Sequence, residues 1–477
     1  MPKYSPLYNS IRKFSKEEHV SFYMPGHKQG SAYDEDMLKD VFKLDVTELK
    51  DTDDLHNPKK AIKETLLELA KTYLAKESFL LVNGSTGGIQ AMLMAACKSG
   101  DTVIIDRSCH RSVINSCAIF GVIPVFARQR IIAEFGIYAP VSADDLQDTI
   151  NQHPEAKAVF ITSPSYYGLC ADISKIAELV HSHNMMLLVD EAHGAHFAYS
   201  DKFPKGSIIE GADMCVQSSH KTLPAPNQTA FLHVGSNRID IDRLKQCISM
   251  LETTSPSYIL MCYADLGHSL MKKNGKTVMD KLVSEVDLLK REVGSKTKLN
   301  FVDETLIGGS IAGVDPLRLV INFSNYNITG FKAGEMLSRE YKIIPEMADL
   351  YNVVCIITYG NKKEDIKKLQ FALLDMVKNV GAGFHARPDE VFIPNLPENN
   401  SAVNPQNAFN SDGECVLLKD SINRISKASV NVYPPGACAI ALGERITEGA
   451  VDYISTMIKA GANVIGIEDW KIITVKR

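Results

Sequence analysis

The sequence predicts an α/β fold built on a mixed, mostly parallel seven-stranded sheet. Three observations carry this. From residue 61 onward, short apolar runs alternate with stretches of helical periodicity, the pattern of a layered α/β unit. A glycine-rich turn, Asn83–Gly88, separates an apolar run from a helical one. Two further apolar runs lead into polar groups capable of chemistry: Met185–Asp190 ends in an acid, and Met214–Val216 leads into QSSHKTLPAPNQ at 217–228.

Taken in order, Ala61–Leu74 is amphipathic at helical spacing, and the seven strands read at Phe79–Val82, Thr102–Ile105, Ile123–Phe126, Ala158–Thr162, Met186–Asp190, Met214–Gln217 and Ala230–His233. Helices read between them at Ile89–Cys97 and Ile173–His183, and Ile259–Arg291 reads as one or two long helices. A small α/β unit follows, with strands at Leu317–Phe323 and Val353–Ile357 and helices at Gly330–Glu340 and Glu364–Val380. Pro394–Ser411 is rich in Pro and Asn and reads as a linker or long loop. Glu414–Arg477 holds Tyr433-Pro-Pro-Gly436 and short β-like runs. The expected division is an N-terminal segment (1–60), a large domain (61–296), a small α/β domain (297–393) and a C-terminal domain (394–477). The N-terminal segment carries Met24-Pro-Gly-His-Lys28 and Asp53-Asp-Leu-His-Asn-Pro58. These read either as surface loops or as a segment crossing to a partner subunit with His27 or Lys28 in a cleft.

With 45% hydrophobic and 23% charged residues, the 477-residue chain has an ordinary globular composition. A formal net charge of −5 gives no reason to expect nucleic acid or an anionic membrane as partner. No apolar run approaches the ~20 residues that span a bilayer, and the N-terminus has no apolar signal-peptide core. The ten cysteines show neither CxxC nor Cys/His ligand spacing. A cytoplasmic protein with reduced thiols and no structural metal is expected.

The chemistry gathers at strand ends. Asp190 closes a buried strand, and Lys221 follows about thirty residues later, after another strand. That layout fits pyridoxal 5'-phosphate: the acid pairs with the pyridinium nitrogen and the lysine forms the Schiff base. Asn83–Gly88 frees backbone N–H groups at a helix N-terminus, where a phosphate is favoured, and Ser85 and Thr86 add hydroxyls. Neither a Walker loop nor a GxGxxG fingerprint is present. His110, after the strand near Ile105, is a loop histidine or a ring stacked on a cofactor. With Asp190, His193 and Lys221 it completes a set of four groups at the sheet edge where open α/β sheets bind ligands.

His110 with its flanking residues, DEAHGAH at 190–196, SSHKTLPA at 218–225, TTSPSY at 253–258 and YPPG at 433–436 together resemble the bacterial ornithine/lysine/arginine decarboxylases. That family is of the aspartate-aminotransferase-like fold type I. The resemblance covers nearly the whole chain and is closest to the short form lacking an N-terminal wing domain. It implies that Lys221 carries the cofactor, Asp190 bonds the ring nitrogen and His110 stacks on the ring, with His193 beside it. Ser85, Thr86, Gly87, Ser218 and His220 would hold the phosphate region, and Thr254 would reach it from the other subunit of a homodimer. His220 or Lys221 would return a proton to Cα. The family's YPPGIP…PGE here reads YPPGACAIALGE, with Cys438 and Leu442 where prolines are common.

The expected activity is decarboxylation of arginine, lysine or ornithine to an amine, feeding polyamine synthesis. The substrate's distal cation loses hydration in a cleft and needs an acid there. Glu346, and behind it Asp349, in Ile344-Pro-Glu-Met-Ala-Asp349 are the candidates. The rival readings are another fold type I reaction, transamination or a lyase step, and a non-catalytic cofactor- or polyamine-binding relative.

Overall fold

The computed structural model describes residues 20–22, 48, 53–326, 328–380, 401–433 and 436–476. His27, Lys28, Pro434 and Pro435 lie outside the described residues. The central sheet has seven strands: β1 (Glu77–Leu81), β2 (Thr102–Asp106), β3 (Ile123–Ala127), β4 (Ala158–Thr162), β5 (Met186–Asp190), β6 (Met214–Gln217) and β7 (Ala230–Val234). Their spatial order is β1-β7-β6-β5-β4-β2-β3. All neighbouring pairs are parallel except the two made by β7, which runs against both β6 and β1.

Both faces of this sheet are covered, as parallel sheets require. On one face Val103, Ile105, Phe160, Leu188 and Val216 meet the helices Gly84–Ala96, Arg111–Phe120 and Ile241–Leu251. On the other, Ile104, Val159, Ile161, Leu187 and Val189 meet Ala143–Gln152 and Ile173–Ser182. Successive residues of one strand thus enter opposite cores. Gly88 sits where the first of these helices touches the sheet. A Cβ there would lie 2.4 Å from Val216 Cγ2 and 2.9 Å from Leu81 Cδ1, so a side chain would force the helix off the sheet.

The helix Tyr258–Leu270 runs through a π-helical turn, Met271–Gly275, directly into Lys276–Lys296. It leads to a small antiparallel sheet of β8 (Asn300–Phe301), β9 (Arg318–Asn322), β10 (Met347–Ala348) and β11 (Asn352–Ile356), in the order β8-β9-β11-β10. The helices Gly330–Glu340 and Lys363–Val380 pack on it. Two pairings tie the parts together. Leu169–Ala171 pairs with Ile311–Val314, and Val20–Phe22 lies parallel to Ile343–Pro345. The second pairing was not legible in the sequence, because three residues are too few for a period.

Beyond the small sheet, Pro405–Asn410 is a short helix inside the stretch read as a linker. Gly413–Leu417 pairs with Lys471–Val475, and Ala437–Ile440, Val430–Tyr433 and Asn463–Ile465 form a three-stranded sheet. The helix Glu448–Lys459, capped by the Thr447 side chain, covers its core. Cys438 and Leu442, at the positions where prolines were expected, are both buried.

Candidate active site

β5 ends at Asp190, which lies level with Thr162 of β4 on one side and Val216 of β6 on the other. β6 ends at Gln217, and the next residues form a single helical turn, Ser219–Thr222, that carries Lys221. The helical turn gives the lysine a defined direction. A cleft over these strand ends is lined by Ser108, His110, Tyr166, Asp190, His193 and Lys221 among others. The fold therefore brings together the four groups read at the sheet edge.

Asp190 is buried, and its Oδ1 accepts the Ala192 N–H at 3.0 Å. Burial pushes its pKa up, while Lys221 and the Ala192 N–H pull it down. Enclosure lowers the pKa of the Lys221 amine, against the pull of Asp190 and Glu346. The Lys221 Nζ stands 3.1 Å from His193 Nε2, and Arg318 Nη2 donates to His193 Nδ1 at 2.8 Å. Burial, followed by Lys221 and Arg318, drives the His193 pKa well down. Beside Asp190, the Asp106 carboxylate accepts the Thr162 N–H at 2.6 Å. Burial and the neighbouring Asp190 raise its pKa to about 7.

His110 caps the helix Arg111–Phe120, its Nδ1 accepting the Ser112 N–H. The residue stays open to solvent on one side, yet crowding of its ring, Lys221 and Arg111 lower its pKa to about 4. It is neutral at pH 7, as a ring stacked on a flat cofactor can be.

The Gly84–Ala96 helix starts earlier than the sequence indicated. Ser85, Thr86 and Gly87 belong to its first turn and not to a loop before it. Ser218 Oγ donates to Ser85 Oγ at 2.9 Å, which joins two of the expected phosphate-region hydroxyls. Thr86 is exposed on the same turn. His220 Nδ1 donates to the Thr229 carbonyl at 2.9 Å, and burial lowers its pKa to about 4. Thr254 is exposed in the turn between the helices Ile241–Leu251 and Tyr258–Leu270 and does not line the cleft of its own chain.

The two acids of the small unit differ. Glu346 accepts the Tyr166 hydroxyl and acts electrostatically on Lys221. Asp349 is buried and already occupied: its Oδ2 accepts the Tyr167 hydroxyl at 2.6 Å, and its Oδ1 accepts the N–H groups of Tyr351 and Asn352 at 2.8 and 2.7 Å. Both oxygens of Asp349 thus accept hydrogen bonds that hold its own loop.

Sequence reasoning missed Arg318, Tyr166, Tyr167 and Glu252, whose carboxylate accepts the Val82 and Asn83 N–H groups, each at 3.3 Å. Tyr166, Tyr167 and Glu252 lie outside the motifs quoted above, and Arg318, the second residue of the strand read at Leu317–Phe323, has nothing in the sequence to mark it from an ordinary strand edge.

The donor set fits pyridoxal phosphate: a buried carboxylate for the ring nitrogen, an amine for the aldehyde carbon, a neutral imidazole for the ring face, and hydroxyls at a helix N-terminus for the phosphate. Among known proteins, the Orn/Lys/Arg decarboxylase major-domain model matches residues 5–365. The arginine decarboxylase of Bacillus subtilis is 31% identical over 98% of this chain and 96% of its own length. That of Halalkalibacterium halodurans is 32% identical over 98% and 96%. Lysine decarboxylase A from Pseudomonas aeruginosa shares the fold, with a TM-score of 0.78 at 19% identity over 99% of this chain and 80% of that one. Sheet order and strand-end site define a fold type I, aspartate-aminotransferase-like protein. Within that class, the chain belongs to the Orn/Lys/Arg decarboxylase family.

Proposed function

We propose that this chain decarboxylates a basic amino acid with pyridoxal phosphate bound through Lys221, and that arginine is the first substrate to test. The observation that carries the reading is the placement of Lys221 and Asp190 at neighbouring strand ends, facing one cleft with Glu346 within electrostatic reach. The arginine decarboxylases among its relatives support the choice of substrate.

When bound, the cofactor supplies an electron sink for the pair left at Cα as carbon dioxide departs. Asp190 holds a proton at the ring nitrogen, because a carboxylate beside a pyridinium favours the charged ring. His110 packs a neutral ring against the cofactor face, and the first-turn N–H groups with Ser85 and Ser218 hold the phosphate. Glu346 takes the distal cation of the substrate. Lys221 returns the proton to Cα in preference to His220, whose Nδ1–H is committed to the Thr229 carbonyl.

The same reading includes a cytoplasmic two-fold dimer in which the partner subunit's Thr254 completes the phosphate site, with the division at 60, 296 and 393 as its domain plan. Its product would feed polyamine synthesis. The test offers arginine, lysine and ornithine to the purified protein and identifies product. Carbon dioxide and the matching amine are expected, fastest from arginine. Keto-acid formation in their place points to transamination, and no turnover of any of the three overturns the reading.

A further inference from the structure

Arg318 is the first residue of β9 in the small unit and is fully buried, with 0% of its surface exposed. Its guanidinium does not line the cleft; it stands behind His193. Its Nε and Nη1 find no acceptor among the described residues. Among the described residues its side chain makes one hydrogen bond, from Nη2 to His193 Nδ1 at 2.8 Å. A buried cation with unmatched N–H groups costs stability, offset in part by the charge of the buried Asp315 and by the Tyr166 ring, whose centre lies 5.9 Å from the guanidinium carbon.

The single bond it makes has a chemical consequence. A guanidinium only donates, so His193 Nδ1 must accept and carries no proton. The one proton of a neutral His193 is then on Nε2, which faces Lys221 Nζ at 3.1 Å. An Nε2–H needs a lone pair opposite it, and an ammonium has none to offer. We propose that Arg318 is a positioning residue: it fixes His193 in the Nε2–H tautomer, and His193 in turn presents the Lys221 amine free of its extra proton and ready to attack the cofactor's aldehyde. This rests on the reading of Lys221 as the cofactor's anchor.

The charges around the lysine agree with this arrangement. Asp190 from β5 and Glu346 from the small unit favour the ammonium, while Arg318 opposes it. The two further histidines that sense Lys221, His110 and His220, both have lowered pKa values, each about 4, so neither is a cation at neutral pH. Arg318 is thus the cation that offsets the two acids, and it does so without touching the amine.

Two measurements test the proposal. In the full chain labelled with 15N-histidine, with His193 assigned by its loss in His193→Gln, NMR should show a proton on Nε2 and none on Nδ1. A proton on Nδ1 in the wild type overturns the proposal, whatever the variants do. The second measurement is the rate at which cofactor-free protein captures pyridoxal phosphate, followed by its visible absorbance across pH. Arg318→Met should react at least about tenfold more slowly at pH 7, and the deficit should close toward about pH 10.4, the ordinary lysine value. Arg318→Lys, which keeps a donor and a charge, should recover much of the rate. A deficit equal at every pH, or none, overturns the proposal. Failure of the underlying anchor reading looks different: Lys221→Ala would then capture the cofactor as wild type does.

Discussion

Arg107 Nη2 donates to Glu444 Oε1 at 2.7 Å and Arg107 Nη1 to Glu444 Oε2 at 3.2 Å, and both side chains are buried. The pair joins the residue after β2, three positions before His110, to the C-terminal part of the chain. The Arg107 guanidinium also lies 4.3 Å from the centre of the Phe126 ring, and Glu444 Oε2 accepts the Ala441 N–H at 2.7 Å. Breaking such a pair from one side leaves a buried charge without compensation. Glu444→Gln should therefore cost roughly 3–5 kcal/mol of stability, read from urea unfolding. Replacing both residues by methionine should cost less than that single change. A Glu444→Gln protein within about 1 kcal/mol of wild type would show that water reaches the pair.

His233 gives a pH dependence of definite sign. Its Nδ1 accepts from Ser78 Oγ at 2.7 Å and its Nε2 donates to Gln217 Oε1 at 3.2 Å, so the buried ring is neutral with both nitrogens occupied. Burial, with a contribution from His268, lowers its pKa to about 3. A depressed folded-state value means stability that is present above the unfolded value of about 6.5 and is lost as pH falls toward 3. His233→Gln should be less stable than wild type at pH 7. The gap should shrink below about pH 6.5 by up to about 1.4 kcal/mol per pH unit. A gap that stays constant from pH 7 to pH 5 would mean that His233 does not titrate between the two states.

Much of this was legible in the sequence, for a physical reason. The seven central strands are apolar runs buried on both faces, and a polar residue that closes such a run marks the edge where a ligand can sit. Asp190 and Lys221 were readable on that basis. The helix opening at Gly84 was read too late, because the glycines that signal a turn here begin the helix itself. Arg318 was not readable, since a single charge at the start of LRLVINF looks like an ordinary strand edge. The different duties of Glu346 and Asp349 were equally hidden. They depend on Tyr166 and Tyr167, which lie about 180 residues away in the chain.

Asp190→Asn should keep the cofactor and lose most of the turnover. An asparagine fills the same space but cannot hold a proton on the ring nitrogen by charge. The visible absorbance should persist, whereas Lys221→Ala should abolish it. Near-wild-type turnover in Asp190→Asn would remove the ring-nitrogen role from this residue.

The two acids of the small unit should separate cleanly. Glu346 bonds the Tyr166 hydroxyl at the edge of the cleft, and its charge is felt at Lys221. Glu346→Gln should weaken the distal cation's binding by roughly 2–5 kcal/mol. The loss should appear in kcat/KM for the best of arginine, lysine and ornithine, with the cofactor spectrum intact. Asp349 instead ties Tyr167 to the backbone N–H groups of Tyr351 and Asn352. In Asp349→Asn the two backbone donors can still bond the amide oxygen, but the amide nitrogen cannot accept the Tyr167 hydroxyl. That variant should lose about 1–3 kcal/mol of stability and keep its preference among the three substrates. If Asp349→Asn reorders that preference while Glu346→Gln leaves kcat/KM unchanged, the roles are reversed and the cation is met by the aspartate.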